Sequence, residues 1–186
     1  MRTAAGQVPG YADFLVADGR GVWVVRSPEE AAAVLAEGAR GGLTLFAEAM
    51  VDLEREVAVL IARRPGGQSV VYPVVETVQE NGMCRELVAP APIDPVVAAH
   101  ARNIAERIAD AIDVTGIMAV ERFVARGGVV LVNEIATRPH NSGHHTIEGC
   151  VTSQFENHLR GVLDWPLGST AAMAPARPAV WFSIYQ

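Results

Sequence analysis

117-IMAVERFVARGGVVLVNEIATRPHNSGHH-145 contains two apolar, β-branched runs joined at Arg126-Gly127, followed by a segment dense in polar side chains. The runs 117-IMAVERFVA-125 and 128-GVVLVNEIA-136 read as antiparallel strands, with Arg126-Gly127 as the hairpin turn between them. With the turn there, Glu121 and Glu134 fall nearly opposite each other and their side chains can converge. Two converging carboxylates beside the amide of Asn133 make a hard-oxygen set suited to magnesium, an ion that keeps waters and shares its sites with phosphates. The same residues also read as a pair of solvent-facing glutamates, and spacing alone leaves both readings open.

Beyond the hairpin, 138-RPHNSGH-144 offers a second set of groups. Arg138 can clamp a phosphate or carboxylate through two parallel bonds. His140 and Asn141 can hydrogen-bond a heterocycle, and Ser142-Gly143 leaves backbone N–H groups open to an anion. Zinc on His140 with His144 or His145 is the rival reading. It needs a helix to bring histidines four apart together, and Pro139 and Gly143 oppose one.

Upstream, 22-VWVV-25 reads as a strand, and Ser27-Pro28-Glu29-Glu30 starts a helix that ends near Gly41-Gly42. Strands are expected at 43-LTLFAEAM-50, 55-REVAVLIA-62, 68-QSVVYPVVE-76 and 84-CRELVA-89. Asp94-Pro95 opens a long helix whose apolar face carries Val97, Ala101, Ile104, Ala105, Ile108 and Ile112. A further helix is expected from Thr152 or Ser153, with Phe155, Leu159, Val162 and Leu163 turned inward. The order of elements predicts an α+β fold, a largely antiparallel sheet with helices packed on it, and not a regular βαβ alternation. Within 48-EAMVDLERE-56, the connector Glu48-Ala49-Met50-Val51 has backbone groups that can read an adenine edge, and Glu56 can hold ribose hydroxyls. A Glu-rich turn between strands is the plainer reading of that stretch.

The 186 residues are half hydrophobic and 19% charged, with a net charge of −6. A sizeable core is expected and disorder is not. No basic run points to nucleic acid, and no run approaches the roughly 20 apolar residues of a membrane span. Cys84 and Cys150 form no metal or redox motif, so a cytoplasmic chain with reduced thiols is expected. All 15 basic residues are arginine; there is no lysine.

NEIATRPHNSGHHTIEGCVTSQFENHLRGVLDWPLG resembles the signature of N5-carboxyaminoimidazole ribonucleotide synthetase, an ATP-grasp enzyme family of bacterial purine synthesis. Glu48-Ala49-Met50-Val51, Arg55-Glu56-Val57, 72-YPVVE-76 and 118-MAVERF-123 fall where that family has its ATP hinge, ribose carboxylate and first metal ligand. The resemblance implies that ATP phosphorylates bicarbonate to carboxyphosphate, which carboxylates the exocyclic amine of 5-aminoimidazole ribonucleotide. It implies ATP and Mg2+ as cofactors and a homodimer, as is common in the family. By role, Glu121 and Glu134 would hold magnesium with Asn133 beside them, and Glu48, Ala49, Met50 and Val51 would bind adenine. Glu56 would bind the ribose, and Arg138, His140 and Asn141 would face bicarbonate and the aminoimidazole nucleotide. Of the family's glycine-rich phosphate loop, Asp18-Gly19-Arg20-Gly21 match, while 10-GYADFLVA-17 does not. Gln79 stands where the family usually has a histidine, Thr137 where it has a proline and His145 where it has an aromatic. The expected organisation is a non-matching segment 1–17, a partial ATP-grasp domain 18–169, and a linker 170–186 entering a truncated C-terminal domain. The alternative to a working enzyme is a non-catalytic or split-subunit piece that binds Mg-ATP weakly.

Overall fold

The computed structural model describes residues 12–13, 23–80, 83–173 and 179–182. The chain divides into two compact units, Met1–Asp52 with Asn81–Met83, and Leu53–Glu80 with Cys84–Gln186. In the first, β1 (Ala12–Asp13) pairs antiparallel with both β2 (Val24–Val25) and β3 (Glu48–Ala49). Helix α1 (Pro28–Gly41) begins as the sequence predicts. The Ser27 hydroxyl accepts from the Glu30 N–H, Pro28 occupies the first turn, and Gly42 closes the helix in the left-handed conformation at φ 65°. Val25 and Val34 are the buried centre of this unit, with Trp23, Ala31 and Leu45 packed on them. The strand expected over 43–50 shortens to Glu48–Ala49, and Leu43 and Phe46 are about half exposed. Its partner among the described residues is β1, paired at Ala12↔Ala49 and Asp13↔Glu48.

The second unit is one antiparallel sheet in the order β10-β7-β6-β4-β8-β9, with β5 also pairing β4. Its strands are β4 (Leu53–Arg63), β5 (Ser69–Val71), β6 (Val75–Glu80), β7 (Met83–Ala89), β8 (Gly116–Ala125), β9 (Val129–Ala136) and β10 (Ala179–Phe182). The single strand expected over 68–76 breaks between Val71 and Val75, around Pro73, which has no N–H to give to a ladder. β4 is buried on both sides from Val57 to Arg63. Val57, Val59 and Ile61, with Met118, Val120 and Val124, pack against Ala101, Ala105 and Ala109 of helix α2 (Pro95–Ala111). Leu60, Ala62, Ile117 and Ala119 join a second cluster with Tyr72, Ala136 and Cys150. Asp94 caps α2 as expected, but Ile112 lies at its C-cap, half exposed, rather than on the buried face. Among the described residues no helix is long and apolar enough to cross a membrane.

The short α3 (Thr146–Gly149) leads to α4 (Gln154–Val162), which starts behind the Ser153 cap as predicted but is rotated from the expected orientation. Gln154, Asn157 and Gly161 are its buried residues, whereas Phe155, Leu159, Val162 and Leu163 are exposed. Polar bonds set this rotation. The Asn157 amide donates to the Tyr72 hydroxyl at 2.7 Å and accepts from the Gly168 N–H at 2.8 Å. A Cβ on Gly161 would lie 2.7 Å from the Arg63 carbonyl oxygen, so only glycine permits this approach of helix to strand.

Candidate functional site

The hairpin register places Glu121 of β8 directly across from Glu134 of β9. The pairing then shifts: Arg122 faces Val132, and Asn133 is the extra residue of a bulge. A bulge sets two residues against one, so Asn133 and Glu134 together face Glu121. On β8 the burial changes at the same point. Residues Gly116–Val120 are all buried, whereas Glu121, Phe123 and Ala125 are only partly covered, alternating with buried Arg122 and Val124. The cover over this face therefore stops at Glu121, while the α2 face stays closed. Ala58 pairs with Glu121 and Glu56 with Phe123, so Glu56 is the diagonal neighbour of Glu121 on the same face. The Gln79 side chain hydrogen-bonds Glu56 from β6.

Electrostatics mark this end of the sheet. Burial, then the charges of Glu134 and Glu56, push the Glu121 carboxyl up to about 7. Burial also raises Glu56, against the opposing bond from Gln79. The Cys84 thiol is pushed up to about 11 by burial and by the same two carboxylates, Glu121 and Glu56, which keeps it a thiol near neutrality. The repulsion that Glu134 and Glu56 exert on Glu121 fits a divalent cation, which would relieve it. Among the described residues no group of three or more His, Cys, Asp or Glu is arranged to hold an ion by itself. The donor set is thus an open pair of carboxylates rather than a closed cage.

The segment after β9 forms a 3-10 turn, Asn141–Gly143, and not a helix able to stack His140 over His144. His140 is buried and its Nδ1 lies 3.5 Å from Glu121 Oε1. This contact is not an ion pair at neutral pH, because burial, Arg138 and His144 hold the imidazole down to about 4. Nδ1 accepts from the Ser142 N–H at 3.4 Å and lies 3.0 Å from the Ser142 hydroxyl, which assigns the proton of the neutral ring to Nε2. His145 carries the opposite tautomer. Its Nδ1 donates to the Ser142 carbonyl at 3.1 Å, leaving Nε2 a buried acceptor without a partner among the described residues. Arg138 and Asn141 are exposed, and Arg138 donates to the Pro139 carbonyl at 3.1 Å.

Of the residues singled out in the sequence, the fold brings Glu56, Gln79, Glu121, Asn133, Glu134 and His140 to one end of one sheet face. Arg138 and Asn141 flank His140 in the chain. Glu48, Ala49, Met50 and Val51 belong to the first unit, with Glu48, Ala49 and Met50 exposed there. Asp18, Gly19, Arg20 and Gly21 lie outside the described residues. Sequence reasoning missed Cys84 and Gln154. Gln154 had a signal in its spacing with Asn157 and Gly161, which form one stripe at i, i+3 and i+7 on α4.

A family model described as the ATP-grasp domain matches residues 13–155. The N5-carboxyaminoimidazole ribonucleotide synthase of Corynebacterium ammoniagenes is 47% identical over 163 residues, covering 85% of this chain and 40% of the relative. A solved structure of an N5-carboxyaminoimidazole ribonucleotide synthetase as its ADP complex matches with a TM-score of 0.83 and 33% identity, over 91% of this chain and 45% of that one. The Aspergillus clavatus N5-carboxyaminoimidazole synthase, solved with ADP and 5-aminoimidazole ribonucleotide, matches at 0.73 and 34%, over 86% and 42%. The chain thus spans about 40% of the length of the curated relatives it matches.

Proposed function

We propose, for a chain that belongs to the ATP-grasp family, that its site serves the ATP- and bicarbonate-dependent carboxylation of 5-aminoimidazole ribonucleotide in purine biosynthesis, by way of carboxyphosphate. The observation that carries this reading is the hairpin register that sets Glu121 against Glu134, with His140 at 3.5 Å from Glu121. Glu121 and Glu134 hold magnesium in this reading, with the bulged Asn133 beside them. Magnesium, when bound, offsets charge developing on the ATP phosphates. Beside a bound cation Glu121 would be held ionised, against the burial and neighbouring carboxylates that raise it. Glu56 takes the ribose hydroxyls and Glu48, Ala49, Met50 and Val51 the adenine, while Asp18, Gly19, Arg20 and Gly21 supply N–H groups and one cation to the phosphates.

The imidazole end rests on the segment after β9. The neutral His140 keeps a proton on Nε2, a donor suited to bicarbonate oxygen or to the acceptor nitrogen of an aminoimidazole ring. Exposed Arg138 offers a guanidinium to carboxyphosphate, and Asn141 offers a carboxamide to the nucleotide. The similarity to N5-carboxyaminoimidazole ribonucleotide synthases, one of them solved with 5-aminoimidazole ribonucleotide, supports this assignment of substrate.

Calorimetric titration with 5-aminoimidazole ribonucleotide, in the presence of Mg-ADP, tests the substrate. Saturable binding is expected, weakened by about tenfold or more in Arg138→Ala, in line with the loss of a charge-assisted contact. Binding of Mg-ADP with no response to the aminoimidazole nucleotide would overturn the substrate assignment while leaving the nucleotide site standing.

A further inference from the structure

We infer that Gln154 is a positioning residue, whose carboxamide sets the backbone of His140 and so places the imidazole against Glu121; the inference rests on the proposed reading of the site. Gln154 is fully buried at the start of α4. Its Oε1 accepts from the His140 N–H at 2.9 Å, and its Nε2 donates to the His140 carbonyl at 2.7 Å. The assignment of the two amide atoms is forced, since an N–H needs an acceptor and a carbonyl needs a donor. One side chain thus closes a two-bond clasp on the peptide groups of a single residue.

The chain around His140 explains why that clasp governs position. Pro139 has no N–H, so the preceding residue cannot anchor the segment as a donor. The segment leaves the sheet at Ala136, where β9 ends, and enters the 3-10 turn only at Asn141. Between these elements, the Gln154 carboxamide is the tie to the body of the unit that the structure gives the His140 backbone N–H. A second tie runs parallel to it. The Thr146 hydroxyl donates to the Gly143 carbonyl at 2.6 Å and accepts from the Gln154 N–H at 2.8 Å. The turn has no slack above the clasp: a Cβ on Gly143 would lie 2.4 Å from Gln154 Oε1 and 2.2 Å from Leu60 Cδ2. From that fixed backbone the His140 ring reaches Ser142 Oγ at 3.0 Å and Glu121 Oε1 at 3.5 Å. Without the clasp, His140 keeps its link to Ser142, which moves with the same turn, but loses its register to Glu121.

Two variants of the 186-residue chain test this. Gln154→Met keeps most of the volume and removes both bonds, and Gln154→Glu keeps the acceptor for the His140 N–H. In Gln154→Met, exchange of the His140 amide with solvent should accelerate by about 100-fold, as expected for the loss of two buried bonds, while the amides of β4 and β8 keep their parental protection. Gln154→Glu should retain part of the His140 protection, through the acceptor bond alone, since a carboxylate cannot donate to the His140 carbonyl. The affinity for 5-aminoimidazole ribonucleotide should fall by about tenfold in Gln154→Met, with Mg-ATP affinity changed less than about twofold. Unchanged His140 exchange in Gln154→Met would overturn the inference. So would equal acceleration across β4 and β8 in both variants, which marks a support of the fold alone. If the parent binds no aminoimidazole nucleotide, the functional reading fails, yet amide exchange still decides whether Gln154 positions His140.

Discussion

Between pH 4.5 and 6.5, Glu121 and two buried histidines make opposite contributions to the pH dependence of stability. The folded-state pKa of Glu121, about 7, lies above its ordinary 4.5, so the native state holds the extra proton in that window. Its contribution is full below pH 4.5 and is lost as pH rises through about 7. His140 and His145 are depressed from 6.5 to about 4, so theirs is present above pH 6.5 and lost as pH falls through about 4. Parent stability therefore conceals the carboxylate, and a difference measurement exposes it. In magnesium-free urea unfolding, Glu121→Gln should gain on the parent as pH rises from 4.5 to 7, by roughly 3 kcal/mol at most. A difference independent of pH would contradict the burial and repulsion assigned to Glu121. Arg122, its neighbour, is the converse case. The guanidinium is fully buried under α2 and donates to the Ala101 carbonyl, while Nε and Nη2 have no hydrogen-bond partner among the described residues. Burial lowers it to about 10, so it is charged at pH 7. Arg122→Met should stabilise the chain by about 1–4 kcal/mol, because an apolar side chain has no charge to desolvate. A lower unfolding midpoint in the variant would show that the orphaned donors are satisfied.

At the scale of elements, the hairpin was legible and the face of α4 was not. Gly127 and Gly128, both at positive φ, punctuate two β-branched runs, and that local chemistry alone puts Glu121 near Glu134. The bulge at Asn133 left no signal, since a bulge inserts a residue without altering the apolar run before it. For α4, periodicity identified a helix with two distinct faces but could not choose between them. The preference for burying Phe155 and Leu159 lost to the carboxamides of Gln154 and Asn157, whose partners on His140, Tyr72 and Gly168 come from distant segments. Denaturant unfolding should reverse the ranking that amphipathicity suggests. Leu159→Ser, at a side chain 59% exposed, should change stability by no more than about 0.5 kcal/mol. Asn157→Leu should cost about 2–4 kcal/mol by stranding the Gly168 N–H and adding bulk at a closed contact. A larger loss at Leu159 than at Asn157 would refute the observed rotation.

Across the whole molecule, the α+β class and the antiparallel sheet followed from the order of elements, and the family followed from the polar segment after β9. The diagonal placement of Glu56 against Glu121 did not, because it depends on how β4 and β8, more than fifty residues apart in sequence, align with each other. The chain has 15 arginines and no lysine, so the protein cations it can bring to ATP phosphates are all guanidinium groups. Of the glycine-rich phosphate loop that the resemblance implies, only Asp18-Gly19-Arg20-Gly21 match. Losing donors of that kind lowers rates by on the order of 10²–10³ each. Phosphate release by these 186 residues, with bicarbonate and 5-aminoimidazole ribonucleotide, should therefore lie far below the ordinary range of roughly 1–10³ per second. Turnover within that range would show that arginine supplies the missing charge. The claim on which the rest depends is that Glu121 and Glu134 hold the metal at the phosphate end of ATP. Calorimetric titration of the parent and Glu134→Gln with ATP, with and without magnesium, tests it most directly. Magnesium-dependent binding is expected in the parent, weakened by about tenfold or more when one of two metal carboxylates becomes a neutral amide. Equal affinity of the two proteins for Mg-ATP would contradict it.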